Sequence, residues 1–251
     1  MTEQERQRAI WLKLSRLDRG ILAHPRAMLP TGFGPLDKAL GTGGLPLGTI
    51  AEIFGSSASG KTTLALQMVA HAQANGAGAA WLDVDRTFDQ SYAASLGVAL
   101  DRLGVVRPES AEEAFEMAGK LAASQAINLL IVDSAAALVP AIELGMAIGS
   151  GGPGLHGRVI ASGLRKLAGA VARSGAVLVF LNQTRSRMDA GGDADTSASG
   201  ASLKLYAAVR IELEPAEAGN VRFRVLKNTA GDVYGRGELR WIPGAGFAET
   251  A

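Results

Sequence analysis

GSSASGKTT, residues 55–63, follows directly on the apolar run Thr49-Ile50-Ala51-Glu52-Ile53-Phe54. Small residues let backbone N–H groups converge on an anion, and Lys61 adds a full positive charge. The stretch satisfies G-x-x-x-x-G-K-[ST] through Gly55, Gly60, Lys61 and Thr62, with Ser56, Ser57, Ala58 and Ser59 between and Thr63 after. That is the phosphate-cradling loop of nucleotide hydrolases. The next residues, Thr62 to Val69, read as a helix whose positive dipole end points at the same spot. A plain Gly/Ser connection is disfavoured by the full match in its strand–loop–helix context.

Outward from the loop, composition sets the limits. The chain has 251 residues, 47% hydrophobic and 20% charged, with 32 glycines and no cysteine. Disulfides and thiolate metal sites are excluded. His24, His71 and His156 are scattered without ligand spacing. The N-terminus MTEQERQRAIWLKLSRLD is too charged for a signal peptide, and no apolar run could span a membrane, so a cytosolic chain is expected. Net charge is only +1, but no carboxylate stands between Glu143 and Asp189, where Arg158, Arg165, Lys166, Arg173, Arg185 and Arg187 lie. This asymmetry fits a local footprint for phosphates.

Along the chain, residues 2–19 read as an amphipathic helix with Ile10, Leu12, Leu14 and Leu17 apolar, followed by a Pro/Gly-rich linker over 24–48. The expected organisation is an N-terminal helix and linker over 1–28, then one core over 29–251. Strands are predicted at 50–54, 78–83, 128–133 and 176–182, and helices at 60–73, 111–124 and 155–173. Ser110 to Glu113 form a capping box that opens the second of these helices. Unalternating apolar strands indicate cover on both faces, hence α/β with a mostly parallel sheet flanked by helices. SLKLYAAVRIELEP, NVRFRVLKN and GELRWIP alternate instead and read as an antiparallel C-terminal extension. The polar, Gly-rich segment 186–202 reads as a mobile loop.

A phosphate loop needs a Mg²⁺ partner, and Asp133 ends the apolar strand LLIVD where a carboxylate can share the ion with the Thr62 hydroxyl. Asp83, Asp85 and Asp89 follow another strand and could orient water, while Gln183 at the end of VLVFLNQ could sense a γ-phosphate.

These residues resemble the bacterial RecA recombinase family. The likeness runs over roughly 29–247 through LPTGFGPLDKALGTGGLPLGTIAEIFG, GSSASGKTTLALQ, LLIVDSAAALVP, LRKLAG, VLVFLNQTR, SLKLYAAVRIELE and RVLKN. It implies a RecA-type phosphate-loop ATPase core that binds ATP and Mg²⁺, with phosphates on Gly55 to Thr63 and the ion near Thr62 and Asp133. It puts adenine between Asp89 and Tyr92 and makes Gln183 the switch to a DNA loop over 184–201. A first DNA loop falls at 146–155, and Arg158, Arg165, Arg185, Arg187 and Gly200 match DNA-contacting positions. Asp85 takes the place of the family's catalytic glutamate. Its paired trans-acting lysines correspond to Lys227 and Thr229. Leu205 replaces a phenylalanine, and the family's C-terminal domain has no counterpart. The departures imply slow ATP hydrolysis.

Two readings result. One is an ATP-dependent filament on single-stranded DNA for homologous recombination and repair. The other is a regulatory paralogue, similar to the ImuA-type accessory proteins of mutagenic translesion synthesis, whose partners would be a full-length recombinase or a translesion polymerase.

Overall fold

The computed structural model describes residues 2, 5, 27–147, 154–184 and 201–249. Most of the expected N-terminal helix and of both DNA loops, with Arg185, Arg187 and Gly200, lies outside the described residues. At the chain start, Thr2 N donates to the Glu5 carboxylate at 2.7 Å and Glu5 N to the Thr2 hydroxyl at 3.3 Å. This reciprocal pair has the hydrogen-bond pattern of a capping box.

The segment expected as a linker is built into the core instead. It forms strand β1 (Met28–Leu29), helix α1 (Gly34–Ala39) and strand β2 (Leu45–Pro46), with β1 and β2 antiparallel. Phe33, Leu36, Leu40 and Leu45 are buried there, so the Pro and Gly residues punctuate a packed unit.

The main sheet begins with β3 (Thr49–Gly55), the phosphate loop and α2 (Lys61–Ala74). Next come β4 (Ala79–Asp83), α3 (Gln90–Ser95), β5 (Leu103–Val106) and α4 (Ala111–Ala123). Then follow β6 (Leu129–Asp133), α5 (Ala141–Leu144), α6 (Leu155–Ser174) and β7 (Val177–Gln183). The chain closes with α7 (Ala201–Tyr206), β8 (Val209–Pro215), β9 (Val221–Asn228), β10 (Arg236–Ile242) and β11 (Gly246–Glu249). The strand order is β11-β10-β9-β8-β3-β7-β6-β4-β5. All neighbours from β8 to β5 pair parallel, and β8 to β11 pair antiparallel.

Two cores explain why the central strands read as unbroken apolar runs. Leu129 and Ile131 of β6, with Val177, Val179 and Leu181 of β7, face α2. Leu130 and Val132, with Leu178 and Phe180, face α4 and α6. Parallel strands covered on both sides need apolar residues at every position. Ser110 caps α4 by accepting from Glu113 N at 3.2 Å, while the Glu113 carboxylate reaches back to Glu109 N at 2.7 Å.

The C-terminal extension departs from expectation in two ways. Residues 201–206 are helix α7, not the start of a strand. Apolar residues at every second position (Leu203, Leu205, Ala207) imitate strand alternation in the sequence, but the helix buries only Leu203 and Ala207, about one turn apart, and turns Leu205 outward. β8 pairs parallel to β3, so the antiparallel part begins only at β9. The short elements α3, β5 and β11 carry no clear periodicity and went unforeseen.

Candidate functional site

Parallel pairing brings the carboxyl ends of β4, β6, β7 and β3 side by side, the usual ligand edge of an open α/β sheet. Two register pairs define it: Gly55 opposite Gln183, and Asp83 opposite Asp133. Thr184 N donates to Gly55 O at 3.1 Å, and Val84 N and Asp85 N both donate to Asp133 O.

The phosphate loop spans from β3 to α2. Gly60, the residue before the helix, has φ +82°, and a Cβ there would meet the Phe247 ring at 2.4 Å. Only glycine fits both constraints. Lys61 Nζ donates to Ser56 O at 2.6 Å and to Gly55 O and the Ser59 hydroxyl at 3.2 Å each. The lysine therefore closes a ring over its own loop. Burial lowers its pKa, with the Asp133 charge acting in the opposite direction.

Thr62 Oγ1 donates to Asp133 Oδ2 at 3.1 Å, joining the two expected Mg²⁺ ligands. Burial pushes the Asp133 carboxyl up to about 6, reinforced by the Asp85 charge and, less, by Asp83; Thr62 and Lys61 oppose the shift. Among the described residues no group of three or more His, Cys, Asp or Glu could hold a metal ion. One carboxylate and one hydroxyl suit Mg²⁺, which takes its remaining oxygens from phosphates and water.

Asp85 Oδ1 accepts from both N and Oγ of Ser134 at 3.1 Å. Asp83, by contrast, is structural: it accepts from Thr87 N, Phe88 N and Arg107 Nε, and shapes the loop that presents Asp85. Asp89 caps α3 by accepting from Tyr92 N at 2.9 Å, and the Tyr92 hydroxyl hydrogen-bonds the Thr63 hydroxyl at 2.7 Å. Gln183 is exposed, with its backbone N donating to Asn182 Oδ1. Lys227 Nζ donates to Lys204 O and Leu205 O at the end of α7. Its pKa is lowered by burial and then by Arg210. Arg158 and Arg165 are exposed on α6, two turns apart and so on one face.

A cavity of about 340 Å³ opens beside the loop, lined by Ala58 to Thr63 on one side and Gly219, Val221, Trp241 and Phe247 on the other. A larger cleft, about 730 Å³ between α4 and α6, holds no phosphate-binding element. Ser134, Trp241 and Phe247 escaped sequence reasoning. The serine follows Asp133 directly and was the one legible signal; the aromatics read only as strand residues. No helix among the described residues is long and apolar enough to cross a membrane.

Residues 19–231 match the family described as RecA N-terminal domain. The chain is 37% identical over 266 residues to "Protein RecA" of Rhodococcus jostii (strain RHA1), covering 98% of this chain and 77% of that protein. With "Protein RecA" of Mycolicibacterium smegmatis it shares 36% over 265 residues, 97% of this chain and 76% of the relative. Likeness over nearly the whole chain, converging on a phosphate loop whose strand pairs with that of Gln183, means that the chain belongs to the RecA family.

Proposed function

We propose that the protein is a cytoplasmic, ATP-dependent, single-stranded-DNA-binding protein that self-associates into filaments for recombination and DNA repair, and that it hydrolyses ATP slowly. The observation that carries this reading is the pairing of Gly55 with Gln183. It ties the phosphate loop to the residue from which the arginine-bearing segment 185–200 departs, so that a change at the γ-phosphate acts on the DNA-binding chain at its root.

In this reading the backbone of 55–63 and Lys61 bind the triphosphate, Lys61 exchanging its loop carbonyls for phosphate oxygens. Thr62 and Asp133 would hold Mg²⁺, which would supply neutralisation of the phosphate charge when bound. Thr63, Tyr92 and Asp89 stand at the base end. Asp85, fixed through Oδ1 by Ser134, offers its second oxygen to the attacking water. Lys227 acts toward a neighbouring subunit's nucleotide, and the exposed Arg158 and Arg165, with Arg185, Arg187 and Gly200, contact the DNA backbone.

Thr229 favours the accessory reading, in which the protein joins a full-length recombinase or a translesion polymerase. Its side chain is exposed where the resemblance expects a second cation. Electron microscopy with single-stranded DNA and a non-hydrolysable ATP analogue separates the two. Regular filaments that need both ligands are expected; their absence with bound nucleotide supports the accessory role.

A further inference from the structure

We infer that Arg107 is a positioning residue for the proposed ATP hydrolysis, acting through Asp83 on the turn that presents the Asp85 carboxylate. This role rests on reading Asp85 as the group that holds the attacking water, and names what holds Asp85 in turn. Val84 N and Asp85 N donate to Asp133 O at 2.7 and 3.1 Å, which fixes the start of the turn. Its far side hangs on one carboxylate oxygen: Asp83 Oδ1 accepts from Thr87 N at 2.8 Å and from Phe88 N at 3.1 Å. Between the two anchors Arg86 has φ +57°, a left-handed conformation that a residue with a side chain keeps only under outside constraint.

Asp83 supplies that constraint only while its own charge is compensated. It is 1% exposed, and register sets it opposite Asp133, so Asp83, Asp85 and Asp133 bring three carboxylates to the ends of β4 and β6. Among the described residues, Asp83 alone of the three has an ion-pair partner: Arg107 Nε donates to its Oδ2 at 2.9 Å. Sheet pairing places this arginine. Leu82 of β4 stands opposite Val106 of β5, so Asp83 and Arg107 each follow the last paired residue of that ladder. Pro108 disfavours a helical turn at Arg107 and keeps it in line with β5. The guanidinium therefore engages one oxygen of Asp83 and leaves the other to the turn. A buried carboxylate without its cation is too costly to keep in place. Any relaxation of Asp83 loosens Thr87 and Phe88, and with them the turn that carries Asp85.

A misplacement of about 1 Å at a reacting group can cost about 10²-fold in rate. The test compares the parent, Arg107→Ala, Arg107→Lys, Asp85→Ala and Arg107→Ala combined with Asp85→Ala. Each is measured for DNA-stimulated ATP turnover, ATP affinity by calorimetry, and backbone amide exchange without nucleotide. Arg107→Ala should lower kcat about 10-fold or more while the ATP Kd stays within about 2-fold. Exchange at Thr87 and Phe88 should quicken about 10-fold, with β6 unchanged. Arg107→Lys, which keeps a cation beside Asp83, should recover most of the turnover. In the Asp85→Ala background, loss of Arg107 should change turnover by less than about 2-fold. Arg107→Gln carries the same comparison if the alanine variant does not fold. Unchanged turnover or unchanged exchange in Arg107→Ala overturns the inference. So does a matching loss of turnover in the Asp85→Ala background, or a fall in ATP affinity, either of which would make Arg107 a support of the fold at large. If Asp85→Ala itself turns over like the parent, the general-base reading falls, and the role of Arg107 with it.

Discussion

Asp133 is 7% exposed and its carboxyl titrates near 6, against an ordinary value of 3.8. Because the folded-state pKa is raised, the protonated form is the one the fold favours. Its stability contribution is full below about pH 4 and is lost as pH rises through 6, a difference of roughly 3 kcal/mol. Asn keeps the shape and can still accept from Thr62. Asp133→Asn should therefore raise the melting temperature of the nucleotide-free protein by several degrees at pH 8 and by nothing near pH 4, while abolishing Mg²⁺-dependent ATP turnover. Thermal melts across that pH range check it, and a lower melting temperature at pH 8 would contradict the cause assigned. A second residue-scale outcome concerns Asp85, whose carboxylate is one methylene shorter than glutamate and is held by Ser134. A well-placed general base is worth about 10²–10⁴-fold. Asp85→Glu combined with Thr229→Lys should raise DNA-stimulated ATP turnover at least about 10-fold. A parent protein already as fast as the double variant would show that neither departure slows hydrolysis.

At the scale of elements, α6 presents Arg158 and Arg165 from one exposed face, while Ile160, Leu164, Leu167 and Val171 bury the other. The helix thus holds the two guanidinium groups at a fixed spacing that a flexible loop could not maintain. Each phosphate contact to a single strand contributes about 0.7 to the slope of log affinity against log salt. Arg158→Ala with Arg165→Ala should flatten that slope by roughly twice this value without moving the ATP affinity. A slope equal to wild type, measured by fluorescence anisotropy at several salt concentrations, would remove both residues from the DNA interface. Element boundaries were legible wherever a signal is local. Ser110 announces α4 because a cap acts over three residues, and the central strands show as apolar runs because both faces are covered. α7 was not legible: its apolar residues Leu203 and Leu205 stand two apart as in a strand, and only the tertiary structure shows that Leu205 is an exposed apolar side chain on the outer face of a helix. β11 is four residues long and is held by Gln67, a partner 180 positions away, so nothing near it in sequence marks it as a strand.

For the whole molecule, the central strands are tied by a polar network sealed beneath the phosphate loop. Arg210 Nε donates to Glu52 Oε2 at 2.6 Å and Asn182 Nδ2 to Glu52 Oε1 at 2.8 Å, joining β8, β3 and β7. The Arg210 guanidinium also sits 4.6 Å from the centre of the Phe54 ring. Both charged side chains are no more than 1% exposed. Removing one partner of such a pair strands a buried charge at about 3–5 kcal/mol, whereas replacing both with neutral groups of similar volume is far milder. Arg210→Ala should lower the unfolding free energy by that amount in urea titrations, and Glu52→Gln with Arg210→Met should recover most of it. Equal losses in the two variants would refute the charge argument. From the sequence alone one could determine the phosphate loop, Asp133 at its strand end, the parallel character of the core and the family resemblance, since each is written in contiguous residues. Tertiary structure alone decided which strand ends become neighbours, so that Gln183 lies against Gly55 and Asp85 meets Ser134, 49 residues away. It also decided that a C-terminal hairpin returns to wall the cavity beside the phosphate loop with Trp241 and Phe247. Strand order and hairpin docking follow from packing between distant surfaces, where the gain in buried area is shared by residues that no local pattern connects.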